Sequence, residues 1–249
     1  MFASTYAYSD GLLAALQHLL VLSAGGGAAD KSAWLDRSQF ASLLSQTRAA
    51  NRLMGCSNSV QWFLSVCAEA VDPRADITTP GLLLRRLNQL KALLMVAYHP
   101  LEHAAFLHDA GVLRVLPERT VERVWRWSSA LWFLYVVCDL PSNVLTLQQT
   151  LSDSVQDAKI DVDASDLRPA AVARARRLRR IKLEVLLLLL LRNFADLPLT
   201  VHFSLDGIRA VLSPRVRVAL SLLSALLNLA RLWRRADLPA AEQDDSEDD

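Results

Sequence analysis

The chain of 249 residues is poor in turn formers, with 8 Gly and 9 Pro, and it holds only 3 Cys. So few cysteines exclude a disulfide scaffold, and at this length none is needed to stabilise a core. Cys56, Cys67 and Cys138 form no CxxC pair and lie in or beside apolar stretches, so they read as buried free thiols. Scarce Gly and Pro argue against a turn-rich β fold and for helices. Charged residues are also sparse at 21% against 52% hydrophobic, which excludes disorder throughout. No uncharged apolar run reaches the ~18 residues expected of a clean spanning helix. Catalytic signatures are missing as well: there is no G-x-S-x-G, no P-loop and no G-x-G-x-x-G.

What the chain does have is leucine, about one residue in five, and a divided charge. The net charge is +1, but Glu242–Asp249 holds six acidic groups and no basic one. The remainder carries 27 basic against 20 acidic groups, or +7, and nearly all the basic residues are Arg. A basic, oily body suits an anionic surface. With no aromatic-and-basic binding motif, that surface is expected to be lipid headgroups and not nucleic acid.

Three stretches become long enough to cross a bilayer only by tolerating charge. Trp127–Leu151 contains Asp139, Leu183–Leu205 contains Glu184, Arg192 and Asp196, and Ala210–Trp233 contains arginines near its ends. Arg192 and Asp196 are spaced i,i+4 and can pair inside an apolar helix, which lowers the cost of embedding them. Arg119, Arg123 and Arg126, with Trp125, Trp127, Trp132 and Tyr135, suit a membrane–water boundary. Arg174, Arg176, Arg177, Arg179, Arg180 and Lys182 form a basic run beside the Leu186–Leu191 segment, the pattern of a juxtamembrane cluster.

The N-terminal half reads as amphipathic helices. Leu12, Leu16, Leu19 and Leu20 share one face, and Asp10 stands where a signal peptide would be basic. Gly25–Asp30 reads as a turn. From Ser38 to Met54, Phe40, Leu43, Leu44 and Met54 oppose Ser45, Arg48 and Arg52, with Trp62 on the helix that follows Gly55–Ser59. These residues, Phe40, Leu43, Leu44, Arg48, Arg52 and Trp62, are the expected membrane-binding set. Thr79-Pro80 predicts a helix start, with Leu83, Leu87, Leu90 and Leu94 on one side, and His99-Pro100 predicts its end. Ser152–Asp166 reads as a solvated loop.

His99-Pro100-Leu101-Glu102-His103 matches the H-x-x-E-H pattern of one metallopeptidase class. Zinc there needs both histidines on one helical face. The residue before a proline is biased away from helix, so His99 is expected outside the helix of His103, with no metal bound. No cofactor, metal or catalytic residue is expected anywhere.

Three segments carry a resemblance. They are Gln46–Leu53 with Arg48 and Arg52; Ala97–Phe106 with Asp109 and Val112-Leu113 behind it; and Arg192–Pro198 leading into an apolar helix that ends near Trp233. In order and character the chain resembles the peroxin 11 family of peroxisomal membrane proteins, most closely its gamma-type branch. The middle segment is the most specific and gives the zinc-like pattern a non-catalytic explanation. The Ser152–Asp166 stretch and the acidic tail have no counterpart. The resemblance implies a peroxisomal membrane location (glycosomal where the host has glycosomes) and membrane elongation before organelle division. It also implies self-association and engagement of the fission machinery, a dynamin-related GTPase and its membrane adaptor. In that family amphipathic helices are held to insert into one leaflet; the matching stretch here is Gln46–Val71.

The expectation is an all-α membrane protein without enzymatic activity. Residues 1–117 form an amphipathic surface region, 118–235 an embedded helical region with a charged 152–182 segment, and 236–249 a disordered acidic tail. The competing readings are a solute pore, whose polar lining would be Arg192, Asp196 and Asp206, and a soluble helical adaptor.

Overall fold

A computed structural model of the chain describes residues 2–24, 37–53, 55–71, 79–113, 116–163, 169–204 and 212–243. Seven helices carry almost all of them: α1 (Phe2–Ala24), α2 (Arg37–Leu53), α3 (Gly55–Val71), α4 (Thr79–Asp109), α5 (Glu118–Asp163), α6 (Pro169–Ser204) and α7 (Pro214–Gln243). No strand occurs among the described residues. The expected Gly25–Asp30 turn, Met54, Asp206 and the last six tail residues lie outside them, as does the side chain of Arg52.

Local chemistry sets the helix ends. Pro169 and Pro214 open α6 and α7, where a missing N–H costs nothing, and Ser213 Oγ accepts from Val216 N at 3.4 Å to cap α7. At the end of α4, Gly111 adopts φ 73°, a left-handed conformation that suits a residue without Cβ. Val112 N then donates to Leu107 O at 2.9 Å and Gly111 N to His108 O at 2.8 Å, a Schellman closure that turns the chain toward α5.

Pro100, Pro141 and Pro198 sit inside α4, α5 and α6. The expected break at His99-Pro100 therefore does not occur, and His99 and His103 share one helix. An interior proline costs ~3 kcal/mol in an isolated helix, but packing neighbours offset this in a membrane-type bundle. Two further boundaries move. Gly55–Ser59 forms the first turn of α3, and α5 continues through the expected loop as far as Asp163. The tail expected from residue 236 is helical through Gln243.

The helices close into a ring. In chain order α4 packs on α5, α5 on α6 and α6 on α7, while α7 returns to α1, α1 meets α2, and α2 and α3 reach α4. The α1–α7 seam is made of small residues: Ala14, Ala15 and Ala225 are buried, and Gly11 lies so near Leu229 that a Cβ would fall 2.9 Å from its Cδ2. Such contacts draw two helices together as in membrane bundles.

The bundle buries many polar side chains beside its apolar ones and exposes large apolar ones. Its fully buried side chains include Asn193, Thr200, Ser128 and Ser142, whereas Trp127, Leu187, Leu191, Phe194, Leu226 and Trp233 face outward. A water-soluble core would exclude the first set and hide much of the second. Three helical stretches, Glu118–Asp153, Ala173–Ser204 and Pro214–Leu238, are long and apolar enough to cross a bilayer.

Candidate functional site

Two polar seams tie the long helices together. In the first, Asp139 of α5 sits at the centre. Lys91 Nζ of α4 donates to its Oδ1 at 2.9 Å and to Ser142 Oγ at 2.8 Å. Asp139 Oδ2 accepts from Asn143 at 2.8 Å and from Asn193 of α6 at 2.6 Å, while Ser142 donates to Asn88 at 3.2 Å. All these groups except Asn88 are buried, so the pair is stable only because the carboxylate and ammonium are both fully engaged.

The second seam joins α6 to α7. Arg192 Nε lies 3.3 Å from Asp196 Oδ2, the i,i+4 pair that spacing alone predicts. Ser224 donates to the same carboxylate, and Arg231 Nη2 donates to Asn228 Oδ1 at 2.9 Å. The charges of this seam, Arg192, Asp196 and Arg231, thus face protein partners, as embedded ionisable residues do.

Side chains from all seven helices line a half-open cavity of about 630 Å³, among them Asp10, Arg48, Asn58, His99, Trp132, Arg192 and Asn228. Its charges are matched. Arg48 Nε pairs with Asp10 Oδ1 at 3.2 Å, and Arg48 Nη1 donates to Gln17 at 2.8 Å. Burial, and secondarily the Arg48 charge, pushes His18 down to about 4, so it stands neutral beside the guanidinium at physiological pH.

The sequence-derived membrane set divides on this framework. Leu44 is buried against the bundle, Phe40 and Trp62 are half-buried, and Leu43 is exposed. Arg48 turns toward α1 and the cavity, where it pairs with Asp10. Of the four leucines expected on one face of α1, Leu12, Leu16 and Leu19 are exposed and Leu20 is half-buried. On α4 the leucines split: Leu83 and Leu90 are exposed while Leu94 is buried. In the basic run, Arg176, Arg177, Arg180 and Lys182 are exposed, Arg174 and Arg179 half-buried. Glu184 pairs with Arg180 and, across the helix pair, with Arg234 of α7, each at 3.0 Å. The cysteines are free but half-buried, less enclosed than expected.

Lys91 and Asn88 carry no signal in the sequence, while Asn193 lies in the Arg192–Pro198 segment with no role assigned to it. Lys91 stood beside arginines on a helix taken for a surface element, and only α4's packing on α5 reveals its partner.

Comparison with known proteins gives one match: the family model of peroxisomal biogenesis factor 11 (PEX11) covers residues 2–233. No curated protein and no solved structure matches. Nearly the whole helical chain, from the first turn of α1 to the apolar end of α7, falls within that match. The chain therefore belongs to the peroxisomal biogenesis factor 11 family, proteins of the peroxisomal membrane that act in peroxisome proliferation.

Proposed function

We propose that this protein elongates the peroxisomal membrane by wedging its N-terminal layer into one leaflet while α5, α6 and α7 anchor it. The observation that carries this reading is the outward apolar stripe of Leu12, Leu16 and Leu19 on α1, joined by Leu43 on α2 and Leu64 on α3. A soluble bundle would bury such a stripe. An amphipathic layer set ~5–10 Å into a leaflet expands that leaflet and favours curvature. Each leucine transferred from water contributes roughly 1.5–3 kcal/mol to insertion. The exposed part of the Arg174–Lys182 run adds about 1 kcal/mol per charge on anionic lipid, screened by salt. Self-association and recruitment of a dynamin-related GTPase through its membrane adaptor complete the proposal. The Ala97–Phe106 motif supports the gamma-type branch.

The test is reconstitution of the full chain on anionic liposomes. The wild type tubulates them, and Leu12→Ser with Leu16→Ser and Leu19→Ser abolishes tubulation while helicity is retained. Equal tubulation by the triple variant refutes the wedge. The central cavity favours a second reading, a solute pathway; conductance in planar bilayers without tubulation would establish it instead.

A further inference from the structure

The sequence-level reason for discounting a metal at His99–His103 was the proline between them. That reason fails in the folded chain, because α4 runs unbroken from Thr79 to Asp109. His99, Glu102 and His103, at i, i+3 and i+4, lie on one face, and each offers a ligand atom within 4.8 Å of the others. The imidazole ring centroids are 5.7 Å apart, with the ring planes tilted by 33°. His99 Nδ1 lies 4.0 Å from Glu102 Oε2.

We propose that His99, Glu102 and His103 bind one divalent transition-metal ion, zinc in the first instance, through two imidazole nitrogens and one carboxylate oxygen. Tetrahedral donors at about 2.0–2.1 Å from zinc stand roughly 3.4 Å from one another. Closure from the present spacing takes about 1 Å of movement per donor, within the reach of side-chain rotation. Two neutral imidazoles and a carboxylate suit zinc over calcium or magnesium, which take oxygen ligands. His99 and Glu102 are buried, which screens the ion from competing water, while His103 is partly open. Tyr98 packs edge-on against His99, with ring centroids 5.2 Å apart.

The remaining coordination position has a route to it. Glu102 also lines a second pocket, about 450 Å³, walled by Trp125, Ser128 and Trp132 of α5 and by Glu122. A water or the Glu122 carboxylate can complete the shell from that side. The ion would clamp the turn that contains Pro100, where the proline removes one backbone hydrogen bond. Metal binding would then appear as added stability of α4 against α5.

The experiment uses untagged full-length protein in detergent, stripped with chelator and titrated with Zn²⁺ and Co²⁺. One ion per chain is expected, with the visible bands of low-symmetry Co²⁺ and a rise in unfolding temperature with zinc concentration. Loss of an outer-shell partner typically weakens a metal site roughly 10–100-fold, so His103→Ala and Glu102→Gln should each weaken binding at least that much. His108→Ala, one turn further on, leaves binding unchanged. Glu102→Gln preserves shape, so circular dichroism separates lost ligation from lost fold. Failure of the wild type to take up metal overturns the proposal, as does uptake that survives both ligand variants.

Discussion

Replacing Asp139 by Ala removes the hub of the first polar seam, and the structure fixes what is left behind. Lys91 keeps only Ser142 as a close partner, at 2.8 Å, and stays buried. The amides of Asn143 and Asn193 lose their common acceptor. Breaking a buried pair by removing one partner costs about 3–5 kcal/mol, because the other charge is stranded. An interhelix hydrogen bond in a membrane protein averages only ~0.6 kcal/mol, so the stranded ammonium dominates. The double change Lys91→Met with Asp139→Ala removes both charges and should be less destabilised than Asp139→Ala alone, with only the Asn143 and Asn193 amides left unpaired. The assay is equilibrium unfolding in mixed micelles followed by helical circular dichroism, run as a double-mutant cycle. If Asp139→Ala unfolds like wild type, Lys91 reaches water, and α4 does not pack on α5 at this depth.

Asp196→Ala leaves Arg192 unpaired within a spanning stretch, at a cost of about 2.5–3.5 kcal/mol on insertion scales, read as reduced membrane integration. The paired change Arg192→Ala with Asp196→Ala should integrate better than either alone. At Gly11 an added Cβ meets the movable end of Leu229, so Gly11→Ala is mild. Gly11→Val should loosen α1 from α7 by roughly 1–3 kcal/mol, seen as faster amide exchange in α1. His18, held neutral down to about 4 when folded, binds a proton in the unfolded chain near 6.5. Its contribution is therefore complete above pH 6.5 and is lost as pH falls toward 4, a slope in the α1–α2 unfolding midpoint that His18→Asn should flatten.

Much of the architecture is written in the chain as hydropathy. The all-helical class, the three apolar stretches in α5, α6 and α7, the Arg192–Asp196 pair and the shared face of the α1 leucines all follow from local spacing. Where reading failed, the cause was tertiary. Pro100 is a helix breaker in isolation, and only neighbouring helices make it tolerable inside α4. The Asp-rich stretch after Ser152 resembles solvated loop by composition, yet it continues α5 to Asp163. Arg48 looked like a headgroup contact because spacing shows which residues share a face, not which face meets a neighbour. Asp10, 38 positions away, supplies its partner. The Lys91–Asp139 seam joins residues 48 apart, and no periodicity links them.

The account stands on α5, α6 and α7 being embedded in the peroxisomal membrane with their polar seams inward. Alkaline carbonate extraction of peroxisomes carrying the tagged full chain tests this most directly. Recovery in the membrane pellet with integral markers is the predicted result; release into the supernatant with peripheral and soluble proteins would contradict it.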